Sequence, residues 1–442
     1  MAALLALLPA APAAAAPGKP GSPDRGFGRA GTVTISDPFL ELVPELVSFR
    51  RGRIVVGARA YVPDGDYLPG LTDRPGTASG PGFSFFRLLP DGELDRRFGT
   101  RGRVDAGLPG AQVGALLPAG GFAAGRARGV PPHIRGKLEV VRLTRSGARD
   151  RAFGRNGVTR LLVEGLRNVL ALEAQPGGGL LVAFSAMPAQ PAASGRGVTV
   201  LRLDRSGRPD PAFGSAGRVL VPSDERVEDA DLAVRPDGRL VLAVFNRSGS
   251  RPGSYGMTLA AFHANGAPDP GFGPDGSGVV TEPRGRARPR AMALGPGGRL
   301  GVAGNSAFAG PDLAAWAYAA DGSRAAAGVV ESARAIENGA AIDFDRAGRM
   351  LLTGFTGRFR RPTGFAVARL DGAARPDRRF GRRGLVVRRF PEAAEARAIS
   401  VQPNGRLLVA GSQISLRRGP GTPRRSRPGV IRLLRLWGGP ST

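Results

Sequence analysis

Residues 231–245 read DLAVRPDGRLVLAVF, two short apolar runs on either side of Pro236, Asp237 and Gly238. Glycine reaches the positive φ that a tight turn needs, and proline presets the backbone ahead of it, so the stretch reads as a β-hairpin. The same figure returns along the chain with turn glycines at Gly52, Gly120, Gly178, Gly238, Gly298, Gly348 and Gly405, at a spacing of about 60 residues. A third strand follows at Met257–His263, matching Val198–Gly207, and a brief valine-rich fourth is seen at Arg218–Val221. Each unit therefore carries four short strands and no helical period, which excludes helical solenoids and fits a propeller blade. The expected fold is an all-β, seven-bladed β-propeller of four-stranded blades, one domain over residues 21–442.

Between third and fourth strands lies the most regular motif, Asp-x-x-Phe-Gly-x-x-Gly, starting at Asp24, Asp95, Asp150, Asp210, Asp269 and Asp377. The spacing suggests an aspartate capping a tight turn, a phenylalanine plugged between blades, and glycines at positive φ. One acidic residue per unit, with no further oxygen ligands at fixed spacing, is far from a calcium loop, so no metal site is expected. The segment Asp321–Val330 has lost the phenylalanine and leaves the packing of that blade open. The ends are complementary: Gly21–Ile35 begins in mid-unit, and Gly429–Trp437 is a third strand lacking its fourth. The last blade should be closed by the N-terminal strand, which removes exposed sheet edges without a disulfide.

These lines, with Leu203, Asp210, Phe213, Gly214, Gly217, Pro236, Asp237 and Gly238 as their clearest copy, resemble the bacterial delta-60 repeat family. The resemblance implies a secreted or envelope-associated propeller and brings no established activity or catalytic residue.

Composition narrows the chemistry. There is no cysteine, hence no disulfide, thiolate nucleophile or sulfur-bound metal, and His133 and His263 are the only histidines, which leaves little for a Ser-His-Asp triad or a zinc site. No cofactor is expected: a quinone site finds no support in two tryptophans and no cysteine pair. The first twenty residues, MAALLALLPAAPAAAAPGKP, look like a secretion signal or a disordered segment, and no later stretch reaches the length of a membrane span. A secreted or envelope-associated monomer is the expectation.

The net charge of +27 is almost all arginine, with lysine only at Lys19 and Lys137. Several long loops are basic: Arg126, Arg128, Arg135 and Lys137; Arg247 and Arg251; Arg358, Arg360 and Arg361; Arg417, Arg418, Arg424 and Arg425. The segment Arg284–Arg290 adds to the same face. The first functional reading is a noncatalytic binding protein whose arginine-rich loops engage an anionic polysaccharide or cell-envelope polymer. Specific nucleic-acid recognition is disfavoured, because these loops hold few aromatic rings to stack on bases. The alternative is a propeller hydrolase or lyase acting on a carbohydrate or lactone, with carboxylates meeting at the channel mouth. Its candidates are Glu41, Glu45, Glu164, Asp224, Glu225, Glu228, Asp229, Glu392 and Glu395.

Overall fold

A computed structural model of the chain describes residues 18–62, 82–128, 135–186, 197–248, 253–306, 312–330, 336–358, 361–414, 416–417, 424–425 and 429–439. Of the signal-like segment expected at residues 1–20, residues 1–17 lie outside them. Apart from a 3-10 turn at Pro296–Gly298, regular structure among the described residues is β-strand, and no helix is long and apolar enough to cross a membrane. Five sheets are separate, four-stranded and antiparallel, each formed by consecutive strands. The fourth of them, Arg226–Val234, Leu240–Arg247, Tyr255–Phe262 and Val279–Gly285, contains the hairpin quoted above, with Leu240 opposite Val234.

The expectation of seven separate blades is corrected here. Apart from the short pair Leu416–Arg417 and Arg424–Arg425, the remaining strands form one continuous eight-stranded sheet, in which Ile336–Phe344, Met350–Arg358, Arg361–Leu370 and Leu385–Arg389 meet Ala393–Val401, Arg406–Ile414, Val430–Trp437 and Thr32–Ile35. The join is a single parallel pair, Thr363 with Ala394, supported by the Phe390 amide donating to the Thr363 carbonyl at 3.1 Å. The long strand Arg361–Leu370 extends far enough to reach its neighbour's inner edge. The closing strand is placed as its sequence suggests: Thr32–Ile35 pairs antiparallel with Val430–Trp437, Val33 opposite Leu433.

The strands Glu41–Arg50, Val113–Leu116, Leu166–Ala174, Arg226–Val234, Arg288–Leu294, Ile336–Phe344 and Ala393–Val401 each pack on the next, and the last returns to the first. They enclose a central axis, so the architecture is a β-propeller. Apolar clusters fill the spaces between sheets; Phe83, Phe85 and Phe98 of the first sheet, for instance, pack with Phe122, Val141 and Leu143 of the second.

The repeated motif explains how sheets are joined. Phe27, Phe98, Phe153, Phe213, Phe272 and Phe380 are all fully buried, each burial stabilising by about 1.5–3 kcal/mol. Each motif aspartate accepts the amide two residues on, as Asp210 does from Ala212 at 3.0 Å, which caps the turn. A second carboxylate oxygen takes an arginine from the third strand: Arg87 for Asp95, Arg142 for Asp150, Arg202 for Asp210, Arg369 for Asp377 and Arg435 for Asp24. That guanidinium lies over the motif phenylalanine, 4.8 Å from the ring centre for Arg202 and Phe213. In the last of these sets Arg435 comes from the C-terminal strand and Asp24 and Phe27 from the N-terminal segment, so the same unit is completed across the closure.

In five of the six motifs the glycine after the phenylalanine reaches forward to the next unit. The Gly154 amide donates to the Ser206 carbonyl at 2.6 Å, Gly214 to Asn265 at 2.8 Å and Gly28 to Asp91 at 2.7 Å. Phe153 also packs on Gly207, where an added Cβ would lie 3.0 Å from its ring at φ +82. Where the phenylalanine is lost, at Asp321–Val330, the sheet is still complete; Gly328 closes against the backbone of Ala374, leaving no room for a Cβ.

Candidate active site

Several inner strands are interrupted midway by a residue with no partner opposite it. Pairing skips Glu45 between Pro44 and Leu46, Leu170 between Val169 and Ala171, and Glu228 between Val227 and Asp229. It likewise skips Arg290 between Pro289 and Ala291 and Arg397 between Ala396 and Ala398. Such bulges bend a strand and re-aim its side chain, and here four of the five carry a charge.

At the axis, Glu45 Oε1 accepts from Arg59 Nε at 2.7 Å and from Arg397 Nη2 at 3.4 Å, which joins the first and last parts of the chain. Arg397 also donates through Nη1 to Glu395 Oε1 at 2.9 Å. Burial alone would raise the Glu45 carboxyl, but Arg59 and Arg397 outweigh it and hold the group below the usual glutamate range. Burial likewise works against the Arg397 charge, yet Glu45 and Glu395 together push its pKa above the ordinary arginine value.

Asp229 behaves oppositely. Water reaches it, but it sits inside the ring of strands; that enclosure, with the charges of Asp231 and Glu45, raises its carboxyl to about 7 against the pull of the Ala230 amide and Arg290. Asp231, two residues on and so on the same face of the strand, accepts the Met292 amide at 2.9 Å and the Leu232 amide at 2.9 Å. Burial still raises it above the usual range. Glu173, on the preceding inner strand, is raised to about 8, first by burial and then by Asp231. Arg290 is lowered to about 10 by burial and by Arg288, with Asp229 and Glu228 opposing. Asp343 repeats the Asp231 arrangement, accepting the Val401 and Phe344 amides at 2.8 Å each, with burial raising its carboxyl.

The axis thus holds Glu45, kept in its charged form, beside Asp229 and Glu173, whose carboxyls are raised to about 7 and about 8, with Arg59, Arg290 and Arg397 among them. Divergent environments of this kind separate acid from base roles. Among the described residues no three histidine, cysteine, aspartate or glutamate side chains gather so as to hold a metal ion.

Of the acidic candidates, the structure brings Glu45, Asp229 and Glu395 to the axis and sends the others elsewhere. Glu41 is buried beside the Tyr61 hydroxyl at 3.1 Å, Glu228 binds Arg288 at 2.7 Å, Glu225 binds Arg284 at 3.0 Å, and Glu392 accepts from Gln413 at 2.7 Å. Glu164 and Asp224 are exposed. Asp231, Glu173, Asp343, Arg59 and Arg397 were not singled out from sequence. The alternation of Asp229 and Asp231 within a strand was the one signal that could have found a pair.

The arginine face is dispersed. Arg126 is half-buried, donating to Glu139 at 2.6 Å and to the Pro109 carbonyl, and Arg247 stands 3.8 Å from Glu228. Arg128 and Lys137 are exposed and face each other across one hairpin, two like charges side by side. Arg251, Arg360 and Arg418 lie outside the described residues, as do the side chains of Arg135, Arg358, Arg361, Arg417, Arg424 and Arg425, although these six fall within strands.

No protein-family model and no curated protein sequence matches this chain. Among solved structures it is similar to a puromycin hydrolase at 14% identity and a TM-score of 0.45, over 85% of this chain and 50% of that one, so the match spans half the hydrolase's length. It is similar to the β-propeller domain of the Trilobed protease from Pyrococcus furiosus at 10% identity and a TM-score of 0.44, over 91% and 99% of the two chains. A gluconolactonase from Xanthomonas campestris matches at 13% identity and a TM-score of 0.33, over 71% and 90%. At such identities the likeness is one of fold. The expectation of a noncatalytic binder of anionic polymers through a basic loop face is corrected: the described basic side chains of that face form no common rim, Arg126 binding Glu139, Arg247 standing near Glu228, and Arg128 lying beside the like charge of Lys137.

Proposed function

We propose that the protein is a propeller enzyme, a hydrolase or lyase acting on a lactone or carbohydrate at its central axis. What supports this reading is the contrast between Glu45, clamped and kept charged by Arg59 and Arg397, and Asp229, whose carboxyl is raised to about 7 by its enclosure inside the ring of strands. In lactone hydrolysis Asp229 takes a proton from water as its oxygen bonds to the carbonyl carbon. The carbonyl oxygen becomes an oxyanion, which the guanidiniums of Arg290 and Arg397 stabilise. The carbon–ring-oxygen bond then breaks, and the leaving oxygen takes the proton that Asp229 holds. Glu45 positions Arg397 and keeps it charged.

The reading of the eight-stranded sheet as two blades, which makes the ring sevenfold, rests on Ile336–Phe344 and Ala393–Val401 both lining the axis. The kinship with delta-60 repeats rests on the recurring Asp-x-x-Phe-Gly-x-x-Gly motif.

The test is hydrolysis of a panel of sugar lactones and oligosaccharides, followed by pH-stat and by reducing-end release. Asp229→Asn should lower kcat by about 10²–10⁴-fold with its fold unchanged, and wild-type activity should rise with a midpoint near pH 7. Turnover by Asp229→Asn equal to that of the wild type, or no turnover across the panel, would overturn the assignment.

A further inference from the structure

Away from the axis, on the face that carries the hairpin turns, a shallow groove of about 60 Å3 opens between the first and second sheets. Its rim is Arg50, Arg51 and Arg145, all exposed, and Leu116, Leu117 and Phe122 form its apolar floor. Arg53 and Arg87 also line it but are engaged with Asp95, at 3.4 and 3.0 Å. Five guanidiniums thus line the groove, Asp95 binds two of them and Arg50 lies within the field of Glu173, so the rim keeps a positive excess.

Two local features shape this groove. In four units an arginine follows the turn glycine and binds the motif aspartate of its own sheet, Arg53 with Asp95, Arg239 with Asp269, Arg349 with Asp377 and Arg406 with Asp24. In the second unit, as in the third, that place is a glycine, and Gly121 lines the groove without a guanidinium of its own. In the first unit the hairpin tightens to a two-residue turn, with Arg50 directly opposite Arg53. Both turn residues are left-handed, Arg51 at φ 51 and Gly52 at φ 73. Such a turn favours asparagine, aspartate or glycine, so an arginine there is held at a conformational cost, and strain of this sort gathers at ligand sites. The cost places one more guanidinium over the groove, with its Nη2 donating to the Pro118 carbonyl at 3.3 Å on the opposite wall.

We propose that this groove binds a small phosphate monoester with an apolar body, the dianion held by Arg50, Arg51 and Arg145 and the body lying on Leu116, Leu117 and Phe122. Arginine forks match phosphate oxygens in pairs, and three converging on one rim suit a doubly charged group better than a single carboxylate. An apolar floor adds affinity only for a ligand that carries hydrocarbon as well as charge.

The experiment is calorimetric titration of the full chain with phenyl phosphate, inorganic phosphate and benzoate at low and physiological salt. Phenyl phosphate should bind at one site, more tightly than inorganic phosphate or benzoate, and more weakly as salt rises. Arg51→Asn combined with Arg145→Ala should weaken it by at least about tenfold, while asparagine suits the left-handed turn and keeps the melting temperature unchanged. Asp229→Asn should bind phenyl phosphate as the wild type does, which separates this site from the axis. Absence of saturable binding at low salt, equal affinity in the double variant, or inorganic phosphate binding as tightly as phenyl phosphate would each overturn the proposal.

Discussion

Replacing Asp24 with alanine tests how the ring is held shut. Its side chain is only 5% exposed and lies 2.8 Å from Arg435 Nε and 2.8 Å from Arg406 Nε, while its other oxygen caps the Gly26 amide at 3.2 Å. Removing the carboxylate leaves the Arg435 guanidinium, whose side chain is 8% exposed, without its counter-charge beneath the closing strand. Stranding one member of a buried ion pair costs about 3–5 kcal/mol, because the remaining charge has neither water nor partner. Asp237 is the control: it meets Arg239 at a similar 2.8 Å, but the two side chains are 50% and 41% exposed, and such a surface pair is worth about 0–1 kcal/mol. Urea unfolding of Asp24→Ala, Asp237→Ala and the double variant Asp24→Ala/Arg435→Met gives the comparison. The double variant should regain a good part of the loss, since methionine removes the orphaned charge and keeps an apolar stem on Phe27. If Asp24→Ala lay within about 1 kcal/mol of Asp237→Ala, or the double variant were no better than the single, electrostatic closure of the ring would be refuted.

Two further outcomes follow from conformation and from protons. In the motif the residue before the last glycine is left-handed in several copies, Arg383 at φ 54 and Asn156 at φ 54 among them, so Arg383→Asn should stabilise the protein by about 0.5–1 kcal/mol, read as a higher urea midpoint. Asp229 and Glu173 keep their protons to about 7 and about 8 in the folded state, against ordinary values of 3.8 and 4.5, so between these limits the folded chain binds more protons than the unfolded one. Their contribution to stability is therefore greatest at the acidic end and falls as pH rises through 7 and 8; Asp229→Asn and Glu173→Gln should flatten that decline in urea midpoints taken across the range.

Much of the architecture could be read from local pattern, because the hairpin at Asp231–Phe245 and the Asp-x-x-Phe-Gly turns are specified within a few residues of themselves. The closure was legible for the same reason: an N-terminal fourth strand and a C-terminal third are each recognisable alone. The arginine eight residues before Asp95, Asp150, Asp210 and Asp377 stood in the repeated line, but its place over the phenylalanine depends on the sheet that holds both. The parallel pair of Thr363 with Ala394 and the axial bulges are long-range, and nothing in the neighbourhood of Glu45 or Arg397 announces that 352 residues of chain separate two partners. The site drew on charges that differ from unit to unit, so the repeat which made the fold readable concealed them. Distributed arginine, in turn, resembled a binding surface until its carboxylate partners were seen.

The forward hydrogen bond from the motif glycine joins the N-terminal segment, which closes the ring, to the first sheet by the same contact that joins other units: Gly28 meets Asp91 as Gly154 meets Ser206. Opening the ring is then a choice among near-equivalent places. A chain cut within another motif turn and linked across residues 20–35 and 430–437 would keep the same partners around the axis, so circular permutation costs little and duplication of units can slide the cut from one joint to the next.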